Sequence, residues 1–168
     1  MDTKIIFKTP RLILREFISG DAVNMFELNA DPTIIRFTGD VTFRSVEEAK
    51  ALIQNYDQYK KYGYGRWTVI DDSSSEYLGW CGLNYNKDSN ETDLGFRFKR
   101  HVWGKGIATE AASACMVYGF NQLKLSKIIG RAMKENKASI RVLEKTGMRF
   151  EKEFDAPGGK CIQLYKAK

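Results

Sequence analysis

The chain has 168 residues and a formal net charge of +6, with 43% hydrophobic and 29% charged residues. This size and composition predict one globular domain over residues 1–168, with room for a sizeable core. No apolar run approaches the roughly 20 residues that cross a bilayer, and the N-terminal residues lack an apolar export signal. Three widely spaced cysteines and a single histidine favour neither disulfides nor a metal site. We therefore expect a cytoplasmic protein without a membrane partner or a metal.

Hydrophobic periodicity predicts seven strands and four helices. The strands are expected at residues 11–15, 66–70, 77–85, 92–98, 127–132, 150–154 and 161–165. The helices are expected to begin after Asp21, Ser45, Gly106 and Asn136. Three consecutive strands followed by strand–helix units indicate an α/β (α+β) domain with a mixed sheet covered by helices.

The turn between the strand at 92–98 and the long helix is the most informative segment. Two glycines, Gly104 and Gly106, lead directly into the first helical turn. Glycine lets the main chain approach a ligand closely, and a first helical turn offers unpaired N–H groups with a partial positive charge. The densest basic run lies beside this turn and comprises Arg97, Lys99, Arg100 and Lys105. These features predict a site for a phosphate-bearing small molecule. Nucleic acid is not favoured, because the other basic residues are spread along the chain.

Two nucleotide-binding motifs fit this turn poorly. A dinucleotide fingerprint would place a third glycine at Thr109 and an acidic residue about 20 positions later, where residues 125–129 contain none. A P-loop requires Ser or Thr directly after Gly-Lys, whereas Gly106 follows Lys105. The turn therefore predicts a different phosphate-bearing ligand.

Residues 103–111, Trp-Gly-Lys-Gly-Ile-Ala-Thr-Glu-Ala, resemble the pyrophosphate-binding motif of the GNAT N-acetyltransferase superfamily. The resemblance is closest to the branch that contains the ribosomal-protein N-terminal acetyltransferases. Residues 9–15 resemble that branch's opening strand, Asp31-Pro32 its loop after the first helix, and residues 136–148 its last helix. The resemblance spans nearly the whole chain and implies a single GNAT-like domain. It also implies a mostly antiparallel sheet of about seven strands flanked by four helices.

Acetyl-CoA is the cosubstrate that the resemblance implies. Its pyrophosphate is expected on the main-chain N–H groups of the glycine turn, and its pantetheine is expected to pair with the strand like an extra strand. His101 departs from the Gln or Arg that the family often has three residues before the first glycine, but this position acts through its backbone. The expected cofactor-binding residues are Phe96, Arg97, Phe98, Trp103, Gly104, Lys105, Gly106, Ile107, Ala108, Thr109 and Asn136.

Amide formation from a thioester needs a neutral amine, a polarised carbonyl and a proton for the leaving thiolate. Asp93 matches an acidic residue that the family often carries on this strand, and we expect it to act as the base through a water, with Glu91 as a neighbouring substitute. The family's usual tyrosine acid is absent because Leu143 occupies its position, so Ser139 is the candidate that assists the thiolate. Each role has a structural alternative: Asp93 as a strand-end residue bonded to a turn, and Ser139 as a support for the Asn136 cap.

A covalent route through cysteine is not expected, because Cys81, Cys115 and Cys161 all lie in apolar segments. The sequence therefore favours direct attack within a ternary complex. An Asp–water base suits an α-amine, with a pKa near 8, better than a lysine near 10.4.

The acceptor is expected to be a primary amine on a protein N-terminus or on a small molecule. Ribosomal-protein N-termini, free amino acids, polyamines and aminoglycosides are the alternatives, and a homodimer through a sheet edge is compatible with each. The rival interpretation is a non-catalytic module that binds CoA or nucleic acid. The candidates for acceptor binding are Arg36, Tyr64, Trp67 and Tyr85, the last two having the core as an alternative.

Overall fold

The computed structural model describes residues 3–168, in which eight strands form one sheet. The strands are β1 (Ile5–Lys8), β2 (Leu12–Arg15), β3 (Arg66–Asp71), β4 (Tyr77–Asn86), β5 (Glu91–Phe98), β6 (Lys127–Met133), β7 (Arg149–Ala156) and β8 (Gly159–Ala167). Their order across the sheet is β1-β2-β3-β4-β5-β6-β8-β7. Every neighbouring pair is antiparallel except β5 with β6. The predicted mixed, mostly antiparallel α/β domain is confirmed.

Six α-helices accompany the sheet in the described chain. They are α1 (Ala22–Ala30), α2 (Pro32–Ile35), α3 (Val46–Gln54), α4 (Gln58–Tyr62), α5 (Ile107–Asn121) and α6 (Lys137–Lys145). Helix α5 packs on β4 and β5, and α6 packs on β6 and β8, whereas α1 packs on α3 and β4. None of the helices within residues 3–168 has the length and apolar character needed to cross a bilayer.

The sequence analysis missed three elements, β1, α2 and α4. Strand β1 has four residues and lies at the sheet edge, so its two outer residues are exposed and no alternation is visible. Helix α2 is a single turn that starts at Pro32, where the Asp31 side chain accepts a hydrogen bond from the Thr33 N–H. These elements are too short for periodicity to reveal them.

One predicted helix cap is wrong. Asp21 does not cap α1, because its carboxylate is buried and binds the Arg15 guanidinium through both oxygens at 2.7 and 2.8 Å. The same carboxylate accepts a hydrogen bond from Thr68 Oγ1 at 2.7 Å and thereby ties β2 and β3 to α1. The cap at Asn136 is confirmed, since its side chain accepts from the Ser139 N–H at 3.2 Å.

The sheet divides where β5 and β6 run parallel. They pair only at Asp93 with Ile129 and at Leu94 with Gly130, whereas β4 pairs with β5 along the whole strand. Beyond Leu94, the outer edge of β5 has no strand partner among residues 3–168. The opening lies at the carboxyl ends of two parallel strands, the position where α/β sheets bind ligands.

Candidate active site

The turn between β5 and α5 contains a glycine bend, residues 103–106. Gly104 and Gly106 have φ angles of +73° and +76°, in the left-handed region where a side chain is strained. Gly106 directly precedes α5, and the N–H groups of residues 104–109 meet no main-chain acceptor within the described chain. Unpaired N–H groups at the positive end of a helix favour an anion, above all a phosphate.

A clamp from the β1–β2 turn fixes the glycine bend. The Arg11 guanidinium donates from Nε to the Glu110 carboxylate at 2.6 Å and from Nη1 to the main-chain oxygen of Lys105 at 2.9 Å. Thr9 Oγ1 and the Arg11 N–H also donate to Glu110 Oε1. Burial opposes ionisation of Glu110, but the hydrogen bonds from Thr9 and Arg11 outweigh it and lower the pKa of this carboxyl. The bend is thus tied to the N-terminal hairpin.

The structure separates the basic run that the sequence placed beside the bend. Arg97 binds Asn29 and Asp40 on the other side of the sheet. The partners of the next two cations are also on the α1–α2 segment and its flanks: Lys99 binds Asn24 and Glu27, and Arg100 binds Asp31. Only the Lys105 side chain, of these four, has no hydrogen bond or ion pair within residues 3–168. The main chain, with Lys105, is therefore what the bend offers an anion.

The N-termini of α5 and α6 stand beside the opening between β5 and β6. Phe96 and Phe98 lie on the β5 edge of that opening, and Trp103 anchors the bend by donating from its indole N–H to the Phe98 carbonyl at 2.9 Å. On the other side, α6 follows β6 directly and begins at the Asn136 cap. Ser139 is partly exposed, and its hydroxyl has no hydrogen-bond partner in the described residues. The topology thus places the glycine bend, the free edge of β5 and the start of α6 around one opening, which we call the slot.

Asp93 lies on the other face of β5 from Phe96, in an ion pair with Arg66. Arg66 Nη2 donates to Asp93 Oδ2 at 2.6 Å, and Nη1 donates to the main-chain oxygens of Asp93 and Gly82 at 2.9 and 2.7 Å. A Cβ on Gly95 would lie 2.7 Å from the guanidinium carbon, so the guanidinium needs glycine there. Burial lowers the pKa of Arg66, but Asp93 outweighs it and the pKa is raised. Asp93 Oδ1 has no hydrogen-bond donor within residues 3–168.

A side pocket of about 270 Å³ lies on the same face as Asp93, between the sheet and the helices α1 and α3. Its floor is formed by Arg66, Trp80 and Arg97. Its apolar wall is formed by Phe17, Met25, Val41, Phe43, Leu52 and Tyr56. This pocket can therefore hold a small organic group against Arg66, the ion-pair partner of Asp93.

None of the four predicted acceptor residues lines the side pocket. Trp67 is 1% exposed and follows Arg66 on β3, so it points to the opposite face and packs on Phe7 and Tyr118 in the core. Tyr64 is buried and shares a hydrogen bond with Thr92. The other two also lie elsewhere: Arg36 stacks on Phe37, and Tyr85 packs on Tyr62 and donates to Asn90.

Sequence reasoning missed Arg66, Trp80 and Tyr56 as site residues. Tyr56 Oη accepts from the Arg66 N–H at 2.7 Å and donates to Asn84 Oδ1 at 3.1 Å, and burial raises its pKa to about 12. Successive side chains of β4 point to opposite faces, so Trp80 lies on the face away from the core residue Cys81. This alternation was the one sequence pattern that could have indicated Trp80. The three residues come from separate elements, which periodicity cannot bring together.

The three cysteines are free thiols, and all three are buried. Cys81 and Cys115 are fully buried, with their sulfur atoms 3.7 Å apart. Burial raises the pKa of Cys115 well above its usual value, and it also raises the pKa of Cys161. No group of three or more potential metal ligands occurs within residues 3–168. His101 is half-exposed and contacts Glu76.

The chain matches the GNAT acetyltransferase domain family over residues 11–149. It therefore belongs to the GNAT family, and it is an acetyl-CoA-dependent N-acetyltransferase. It is 34% identical to the Bacillus subtilis protein YkkB, over 100% of this chain and 98% of that protein.

Two solved structures are similar over almost their full length. A GNAT-family acetyltransferase from Bacillus anthracis is 27% identical, with a TM-score of 0.83 over 95% of this chain and 96% of that one. A Vibrio cholerae spermidine N-acetyltransferase, solved with CoA and spermine, is 22% identical, with a TM-score of 0.80 over 95% of this chain and 96% of that one. An identity of 22% shows only that this chain and the spermidine N-acetyltransferase share a fold.

Proposed function

We propose that this acetyltransferase transfers the acetyl group directly to a primary amine that is bound in the side pocket while acetyl-CoA occupies the slot. The row of free N–H groups in the glycine bend carries this proposal. It stands at the positive end of α5, beside the opening between β5 and β6, and matches the diphosphate of the cosubstrate. The free edge of β5 at Phe96–Phe98 offers main-chain partners to the pantetheine amides, and Asn136 lies at the start of α6 on the other side of the opening.

Bound acetyl-CoA supplies a thioester carbonyl. The amine first loses the proton of its ammonium form, and its nitrogen then attacks this carbon. A C–N bond forms, the C–S bond breaks, and the CoA thiolate takes up the proton that the nitrogen loses as the amide forms. Asp93 accepts the proton of the amine through a water at its free Oδ1. Because Arg66 engages the other oxygen, Asp93 suits an amine of low pKa, and a lysine costs about 3 kcal/mol more to deprotonate than an α-amine. Ser139 donates a hydrogen bond to the departing sulfur.

Charge reversal at the glycine bend tests where acetyl-CoA binds. Gly104 and Gly63 both have a left-handed φ, +73° and +80°, and a Cβ on either meets nothing within 4 Å. Gly104→Asp and Gly63→Asp therefore carry the same backbone strain, but only Gly104→Asp puts a carboxylate beside the expected diphosphate. We expect calorimetry to show acetyl-CoA binding at least about tenfold weaker in Gly104→Asp and unchanged in Gly63→Asp. Equal losses in both variants would remove the bend from the site.

A matched pair of carboxylate variants tests the base. Glu91 and Asp93 lie on one face of β5, and each is paired with an arginine. In an assay of thiol release with an amine panel, Asp93→Asn should lower kcat on the order of a hundredfold. Glu91→Gln should keep the wild-type rate. Initial rates of the wild type with both substrates varied should give the intersecting double-reciprocal lines of a ternary complex. A parallel pattern would refute direct attack, and equal rates in the two variants would refute Asp93 as the base.

A further inference from the structure

The floor of the side pocket is cationic under an apolar wall. The guanidinium carbons of Arg66 and Arg97 lie 5.5 and 5.4 Å from the Trp80 ring centroid, so two cations flank one indole. Asp93 pairs with Arg66, and Asp40 pairs with Arg97. Asp40 is the one carboxylate among the residues that line this pocket in the described chain. Two arginines and one acid thus line the pocket, and Asp93 contributes its charge through the ion pair with Arg66.

The two ion pairs differ in how firmly their acids are held. Asp93 belongs to a strand, and its side chain is 26% exposed. Asp40 belongs to the segment between α2 and α3, outside any helix or strand, and its side chain is 50% exposed while that of Arg97 is only 13% exposed. Arg97 also donates from Nη1 to Asn29 Oδ1 at 3.0 Å. The guanidinium therefore stays anchored if Asp40 is exchanged for another carboxylate, and the exchange leaves its charge paired.

We propose that Arg97 binds a carboxylate of the acceptor in the place that Asp40 occupies, and that the acceptor is a small amine with an apolar body. This inference rests on the proposed function. When Asp40 is displaced, Arg66 and Arg97 face Asp93 alone, and the remaining positive charge matches one anionic group. The apolar body of the acceptor packs against the apolar wall of the pocket at Phe17 and Phe43.

The strand geometry also sets the spacing between the two groups of the acceptor. Asp93 and Arg97 lie on the same face of β5 at a distance of roughly 13 Å along the strand, of which the water at Asp93 takes up about half. An α-amine and a carboxylate separated by one peptide unit fit this spacing. A polyamine does not fit, because the pocket offers no carboxylate for a second ammonium group once Asp40 is engaged by Arg97.

The test compares L-phenylalanylglycine with its C-terminal amide, which has the same body and an α-amine but no carboxylate. With saturating acetyl-CoA, we expect the KM of the dipeptide to be about tenfold lower than that of the amide. Arg97→Gln should bring the ratio of the two KM values close to one. Asp40→Asn should lower the KM of the dipeptide relative to that of the amide and so widen the ratio of the two values, because the variant removes the competing carboxylate. A purely structural ion pair would not give opposite effects at its two ends.

Two results distinguish this inference from the proposed function. If amines release thiol but the amide is used as well as the dipeptide, or Arg97→Gln raises both KM values equally, the inference is overturned and acetyl transfer stands. If no amine of the panel releases thiol, the proposed function fails. Calorimetry with the protein–CoA complex then decides the inference alone: tighter binding of the dipeptide that Arg97→Gln abolishes supports it, and equal binding of both compounds overturns it.

Discussion

The slot for the cosubstrate and the side pocket for the acceptor are formed by different chemical groups. The slot is made mainly of main-chain groups from short stretches of sequence, the glycine bend and the free edge of β5. The side pocket is made of side chains from the helices α1 and α3, from the segments that flank them, and from the strands β3, β4 and β5. A main-chain site is fixed by the fold and tolerates changes of side chain. A side-chain site changes its specificity with single substitutions, so one fold accommodates many acceptors.

Among the variants that affect one region and spare the other, Gly95→Ala is expected to have the largest effect, on the side pocket. The added Cβ would lie 2.7 Å from the Arg66 guanidinium, which is pinned by Gly82 and Asp93 and has to move. We expect kcat/KM for the acceptor to fall about a hundredfold, since small displacements of catalytic groups are costly. Binding of acetyl-CoA, measured by calorimetry, should change far less.

Gly130→Ala is the matched control for that substitution. Its Cβ would also lie 2.7 Å from a neighbour, but the neighbour is Leu143 in the core between β6 and α6. Both variants should lose about 1–3 kcal/mol of unfolding free energy through overpacking. Only Gly95→Ala should lose acceptor turnover at a temperature where both remain folded. Similar turnover in the two variants would contradict the role given to Arg66 and Asp93.

Arg11→Ala, which removes the clamp on the glycine bend, is expected to affect the slot and spare the side pocket. Arg11 bonds both Glu110 and the Lys105 carbonyl, so its loss frees the bend without touching the side pocket. We expect the KM for acetyl-CoA to rise about tenfold, while the KM for the acceptor stays the same. The unfolding free energy should fall by less than about 1 kcal/mol, because the pair is partly exposed.

Lys8→Ala provides the comparison for the clamp. It breaks the exposed ion pair between Lys8 and Asp72, which follows β3. Lys8 belongs to the same N-terminal hairpin as Arg11, but this ion pair does not involve the bend. Its kinetic constants should equal those of the wild type. If Lys8→Ala raises the KM for acetyl-CoA as much as Arg11→Ala does, general loosening of the hairpin, and not the clamp, controls the bend.

The contrast between the main-chain slot and the side-chain pocket also explains which parts of the site the sequence could predict. The glycine bend and the Asn136 cap depend on residues a few positions apart, so their spacing already indicates their structure. The Arg66–Asp93 and Arg97–Asp40 pairs join residues that are distant in sequence, and no local pattern relates them. Asp21 shows the competition directly, because it precedes a helix like an N-cap but folding buries it against Arg15 and Thr68. Tertiary contacts thus outweighed local preference wherever side chains from separate elements meet.

A smaller effect is expected from the pH dependence of the clamp. The pKa of Glu110 is lowered in the folded protein from its usual value of 4.5. The ionised form is therefore stabilised by folding, and this contribution is complete above pH 4.5 and is lost as the pH falls through the lower folded pKa. The difference in unfolding free energy between the wild type and Glu110→Gln should be constant from neutral pH down to 4.5 and should shrink below it. A difference that already declines above that pH would contradict the lowered pKa.

The smallest effect is expected from the cysteines. Cys81 and Cys115 are completely buried on the core face of β4 and in α5, and burial raises the pKa of Cys115, so a thiolate nucleophile is not available there. Cys81→Ala, Cys115→Ala and Cys161→Ala should each keep the wild-type kcat, and the buried substitutions should cost about 1 kcal/mol of stability. Loss of turnover in one folded variant, together with acetylation of that thiol detected by mass spectrometry, would replace direct attack by a covalent route. Unchanged turnover in all three variants leaves the amine in the side pocket as the nucleophile.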